Sequence, residues 1–136
     1  VVSPQKVTPV QHWTPEHVAA LLPSVEASPW GPLEGPTDVL GGSFLFEIEQ
    51  GGAHALMAVR PVRLQLGARL DVVGLVSLGD RMPSGAIDAM ACQAARQLGA
   101  QQLAMCTKHE HVVRQSARHG WIQTGVVMTK GLYVQQ

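Results

Sequence analysis

The stretch Asp71–Leu132, DVVGLVSLGDRMPSGAIDAMACQAARQLGAQQLAMCTKHEHVVRQSARHGWIQTGVVMTKGL, decides the fold of this 136-residue chain. It reads as strand, short loop, long helix, strand, short helix, strand. Arg69–Leu78 is an apolar run. Ile87, Met90, Ala91, Ala94, Ala95 and Leu98 then recur at helical spacing, and Gly99 stands where a left-handed C-cap is expected. Gln101–Cys106 is a second short apolar run. Because a whole helix separates it from Arg69–Leu78, the two should lie parallel with a right-handed crossover. Thr107 and Glu110 have the spacing of a capping box, with Val112, Val113, Ser116 and Ala117 on the inner face of a further helix and Gly120 at its end. Ile122–Lys130 is expected as the last strand. Between the first strand and the long helix lies Arg81-Met82-Pro83-Ser84-Gly85-Ala86. At such a junction unpaired helix N–H groups face solvent, so a phosphate can be held by backbone amides and an arginine. A phosphate-bearing cofactor is the first functional expectation.

Upstream, Thr14-Pro15-Glu16 opens a helix: a hydroxyl N-cap, a proline whose missing N–H costs nothing there, and an acid at the positive dipole end. Val18, Leu21 and Leu22 give it an apolar face, and Pro23 is expected to stop it. Ser24–Gly42 carries three prolines (Pro29, Pro32, Pro36) and four glycines (Gly31, Gly35, Gly41, Gly42), which predicts an irregular loop docked through Trp30, Leu33, Val39 and Leu40. Ser43–Gln50 alternates as a strand does, and Gly51-Gly52 supplies a hairpin turn. A strand from Ala53 to about Leu66, bulged near Pro61, and a third over Arg69–Leu78 complete an antiparallel meander. The fold class is therefore α/β, with an antiparallel meander followed by a parallel βαβ unit and a C-terminal helix and strand.

A chain of 136 residues is about one domain, here 1–136, and long enough to bury a core without staples. Ten basic residues balance ten acidic ones, which leaves no footprint for nucleic acid or for an anionic membrane. Cys92 and Cys106 are too few for a disulfide framework. With no secretory or spanning apolar segment in view, the expected setting is reducing and cytoplasmic.

In its order of elements the chain resembles the GNAT superfamily of N-acetyltransferases, from about Val7 to Leu132. The sharpest local match is Ser116-Ala117-Arg118-His119-Gly120-Trp121-Ile122-Gln123-Thr124-Gly125, similar to the family's helix end, Gly-aromatic pair and following strand. The family's acyl-CoA loop reads Gln/Arg-x-x-Gly-x-Gly/Ala; Arg81–Ala86 fits it with Ser84 in place of the first glycine. The resemblance implies acetyl-CoA or another acyl-CoA as cofactor, with its pyrophosphate at Arg81, Ser84, Gly85 and Ala86. It also implies a pantetheine arm between splayed parallel strands, along the backbone of Gly74, Leu75, Val76 and Ser77. Ser84 is small and is expected to cap the helix with its hydroxyl. The implied acceptor is a small-molecule or protein amine.

The family often carries a tyrosine four residues before the helix-ending glycine, where it protonates the departing thiolate; Ser116 holds that position here. A proton must also leave the attacking amine, and Glu47, Glu49, His54 and Asp71 are the candidates, with Glu47, Asp71 and Ser116 taken as the catalytic set. An exposed acidic strand face is the plainer account of Glu47 and Glu49. Cys106, His109 and His111 cluster at a strand-to-helix junction, but their spacing fits no four-ligand pattern and no metal is expected. Cys106 reads as a buried strand cysteine and the histidines as solvated. The alternative function is a GNAT-like binding or structural protein that no longer acetylates, such as those carried by bacteriophages. Its partners would be virion proteins or further copies of itself.

Overall fold

The computed structural model describes residues 6–30 and 33–132; Gly31 and Pro32 of the expected loop lie outside them. Along the chain run β1 (Lys6–Val10), α1 (Pro15–Glu26), α2 (Pro36–Leu40), β2 (Phe44–Gln50), β3 (Ala53–Leu64), β4 (Gly67–Ser77), α3 (Ser84–Gln97), β5 (Gln102–Ala104) and α4 (Glu110–Ala117). The strands stand in the order β1-β2-β3-β4-β5, each pair antiparallel except β4 with β5. That last pair is parallel, as the long helical crossover requires. Among the described residues no helix is long and apolar enough to cross a membrane.

Successive side chains of a strand face opposite sides of the sheet, and β3 uses both sides for burial. Ala55, Met57 and Val59 join Ile48, Leu70 and the α3 stripe of Met90, Ala91, Ala94 and Ala95. Leu56 and Ala58 join Leu45 on the other side, beneath Leu21 and Val25 of α1 and Val39 and Leu40 of α2. Each fully buried Leu or Met contributes roughly 1.5–3 kcal/mol. The small alanines of α3 let its backbone lie close to the sheet, which fixes where its N-terminus emerges.

α1 starts as expected: His17 N–H donates to Thr14 Oγ1 at 3.3 Å, and His17 Nδ1 accepts from Thr14 N–H at 3.0 Å. The Glu16 carboxyl is held below its ordinary range by a backbone hydrogen bond first, then by the Thr14 hydroxyl. Pro23 does not end the helix. It lies inside α1, because the burial of Leu21 and Val25 on either side outweighs one missing N–H. Within the expected loop, α2 forms instead, and Arg60 Nη1 on β3 donates to the carbonyls of Val39 and Gly41 at its end, each at 3.2 Å. β1 has no counterpart among the expected elements; it pairs with β2, Lys6 against Glu49 through Val10 against Leu45. The register shift of the meander falls at Ala58/Val59, where β4 carries the extra residue Val73, and not at Pro61.

Three further expectations need correction near the C-terminal end. The Thr107/Glu110 capping box does not form: His109 is the N-cap of α4, and Thr107 Oγ1 accepts from His109 N–H, at 3.1 Å. Cys106 is exposed, since β5 ends at Ala104. Ile122–Lys130 is not a strand. Trp121 Nε1 donates to Asp88 Oδ1 on α3 at 2.8 Å, which ties the chain to a helix rather than to the sheet, and Gly125 interrupts the alternation that follows. Ile122, Val126, Met128 and Leu132 are all exposed.

Candidate functional site

β4 and β5 share three rungs, Arg69–Asp71 against Gln102–Ala104, and then part. Gln101 sets this short pairing: its side chain accepts from Ala68 N–H at 2.8 Å and its own N–H donates to Ala68 O at 3.0 Å. Beyond Asp71 the outer edge of β4 faces a gap. In an antiparallel ladder alternate residues turn both N–H and C=O away from the partner strand. Leu75, opposite Met57, is one of these. Its N–H donates to Ser24 Oγ of α1 at 2.9 Å, and the Ser24 hydroxyl stands 2.7 Å from the Leu75 carbonyl oxygen, to which it donates.

The gap widens into a cleft of about 350 Å³. Leu75, Val76 and Ser77 form one wall, Arg81, Met82, Pro83, Ser84 and Ile87 its floor, and His111, Val112 and Gln115 of α4 the opposite wall. Met82 is buried under α3 and pins the loop, so that exposed Arg81 and the start of α3 meet at the mouth. The N-cap of α3 is Pro83, and among the described residues no side chain caps this terminus. Pro83 O accepts from Ala86 N–H and Ile87 N–H, which leaves the Ser84 and Gly85 amides at the positive end of the helix dipole. The expected Ser84 cap is therefore not made. Ser84 is the first helical residue, and its hydroxyl lies 3.0 Å from His119 Nε2, tying the turn that follows α4 to α3 beside the mouth. A Cβ on Gly85 would meet only His119 Cε1, at 3.7 Å. Among the described residues nothing demands a glycine there.

Of the residues singled out for an acyl carrier, Leu75, Val76, Ser77, Arg81 and Ser84 line one cleft, and Gly85 and Ala86 follow in the first turn of α3. Gly74 turns the other way. A Cβ on it would lie 3.2 Å from Leu21 Cδ2 and from Leu40 Cδ2, so this glycine serves the close packing of α1 and α2 on β4. Asp71 lies at the paired end of β4, where its carboxylate takes Arg69 Nε at 2.7 Å. That hydrogen bond, with the charge behind it, raises the Arg69 guanidinium above its ordinary value. Ser116 is next to the cleft and not on its wall; its carbonyl accepts from His119 N–H and Trp121 N–H. His111, Val112 and Gln115 face the cleft instead.

Glu47 stands on a transverse row, Glu47–Leu56–Val76, that ends at the cleft wall two strand spacings away, roughly 10 Å. Its Oε1 lies 2.6 Å from His54 Nε2. With Glu49 these two offer ligand atoms within 4.8 Å of one another, the one such trio found among the described residues that could hold a cation. Gln115 and Ser24 escaped the sequence reading, and His111 entered it only as a solvated histidine near Cys106 and His109. The spacing of 111, 112 and 115 marks one helical face, but which face meets a cleft depends on how α4 docks.

Superposition finds the same fold in solved structures. A GNAT family acetyltransferase from Staphylococcus aureus matches with a TM-score of 0.56 over 94% of this chain and 98% of that one, at 10% identity. A protein from Thermus thermophilus matches with a TM-score of 0.52 over 96% and 99%, at 13% identity. No protein-family model and no curated protein matches the sequence itself. The chain thus has the GNAT acetyltransferase fold, a mixed α/β sheet whose only parallel pair is β4 with β5 among the described strands.

Proposed function

We propose that this protein is an acyl-CoA-dependent N-acyltransferase that carries an acetyl group to an amine acceptor, a small molecule or a protein. One observation carries the reading: a single cleft joins an uncapped helix N-terminus and Arg81 to the open edge of a splayed strand. The first pair suits a pyrophosphate, because amide donors and a guanidinium converge on its oxygens. The second suits an amide-bearing arm, because a strand edge pairs with peptide-like groups whatever the flanking side chains. Acyl-CoA bound there would supply an activated thioester.

The remaining chemistry belongs to side chains. As the amine nitrogen attacks the thioester carbonyl, a C–N bond forms, the C–S bond breaks, the nitrogen loses a proton and the thiolate gains one. Glu47, oriented by His54 on the row that ends at Val76, takes the amine proton through water. His111, on the α4 wall, returns a proton to the thiolate in place of Ser116. A second reading, a binding protein that holds CoA without transfer, draws on one fact: Gln115 and Ser116 are not acids able to do that work. Calorimetry with CoA and turnover with acetyl-CoA and a panel of amines test both. CoA binding lost in Arg81→Glu, with turnover reduced about 10²–10⁴-fold in Glu47→Gln, supports the transferase. CoA binding without any transfer selects the binding protein. No CoA binding at millimolar ligand refutes the two together.

A further inference from the structure

Ser24 comes to Leu75 from 51 residues away and does more than pack: one hydroxyl serves both the N–H and the C=O of a single strand residue. That is what the next strand of a sheet would do. Two residues on, Ser77 has the same orientation in the ladder and lines the cleft, so the open edge offers successive donor–acceptor sets about 7 Å apart. A chain entering from the start of α3 passes Ser77 first and reaches Leu75 second. There it meets the Ser24 hydroxyl.

We infer that Ser24 sets the affinity of this cleft for an amide-bearing carrier, by holding the place on Leu75 that the inner end of the carrier's arm takes. The inference rests on the acyl-CoA reading above. Pairing with Leu75 requires the arm to exchange with an intramolecular partner that already satisfies both groups, so the hydroxyl weakens binding of the arm and leaves binding of the nucleotide end alone. Removing it leaves water as the only competitor. One net hydrogen bond of the usual strength corresponds to about a fivefold change in affinity.

The test is titration calorimetry of the wild type, Ser24→Ala and Ser24→Thr with two probes: CoA, and adenosine 3′,5′-bisphosphate, which has no arm. Ser24→Ala is expected to bind CoA about fivefold more tightly and the bisphosphate with unchanged affinity. Ser24→Thr keeps the hydroxyl and should bind both as the wild type does. Equal or weaker CoA binding by Ser24→Ala overturns the role of Ser24 while leaving the acyl-CoA reading intact. A parallel change in both probes overturns it too, since that marks a general effect on the fold. Absence of CoA binding in all three proteins overturns the acyl-CoA reading itself, and this inference with it.

Discussion

Replacing Gly85 by alanine should make the protein more stable and worse at binding CoA. Gly85 is the second residue of α3, its φ is not in the left-handed region, and an added Cβ meets nothing nearer than His119 Cε1 at 3.7 Å. The backbone therefore accepts alanine without strain. An alanine in a helix gains about 0.5–1 kcal/mol over glycine, chiefly because the unfolded chain has less freedom to lose. For a chain of this size that is a rise of about 2–4 °C in Tm. The same methyl group stands over the Ser84 and Gly85 amides, where an anion must approach closely. Losing one charge-assisted hydrogen bond there costs about 1.5–3 kcal/mol, or roughly 10- to 100-fold in Kd. Scanning calorimetry and CoA titration on one preparation read both effects. A lower Tm would refute the packing argument, and a higher Tm with unchanged CoA affinity would refute the placement of the pyrophosphate.

Gly74→Val should do the opposite: its side chain runs into Leu21, Leu40 and Ala58, costing about 1–3 kcal/mol by urea melts, while CoA affinity of the folded fraction holds. Thr14→Ala removes the α1 cap and should cost about 1 kcal/mol at neutral pH. Thr14 also helps to lower the Glu16 pKa, and a lowered carboxylate stabilises the fold above its unfolded value near 4.5 and ceases to as pH falls through the folded value. The difference between wild type and Thr14→Ala should therefore narrow below about pH 4.5, and a difference that grows on acidification would contradict the assignment.

The β4–α3–β5 crossover was legible because its signals are local: an apolar run, a 3.6-residue stripe of Met90, Ala91, Ala94 and Ala95, and a second run after Gly99. Only the β4 wall and the floor of the cleft were legible in the same way, since Leu75–Ser77 and Arg81–Ala86 flank that crossover. What escaped depends on contacts distant in sequence. α2 is five residues long and has Arg60 of β3 on its last carbonyls. β1 has only Val7 and Val10 half-buried, on opposite faces, and a proline, and it exists because β2 offers it an edge. Pro23 carries a strong local stop signal that the burial of Leu21 and Val25 overrides. Ile122–Lys130 has the composition of a strand, but with Trp121 bonded to Asp88 it finds no strand to pair with. His111 reaches the cleft, and Ser24 reaches the backbone of its wall residue Leu75, through the docking of whole helices, which no local pattern encodes.

The burial of Ala55, Leu56, Met57, Ala58 and Val59 on both faces of β3 also has a consequence in time. Five consecutive amides there sit between two apolar clusters and two hydrogen-bonded neighbours, and no small opening brings solvent to them. Their hydrogens should exchange only when the whole fold opens, on a scale set by the global stability. Those of 122–132, with no sheet beside them, should be gone within the first seconds. An exchange map would therefore run outward from β3 to the chain's last described residues, and the cleft, with one wall on the inner sheet and one on α4, would span both rates.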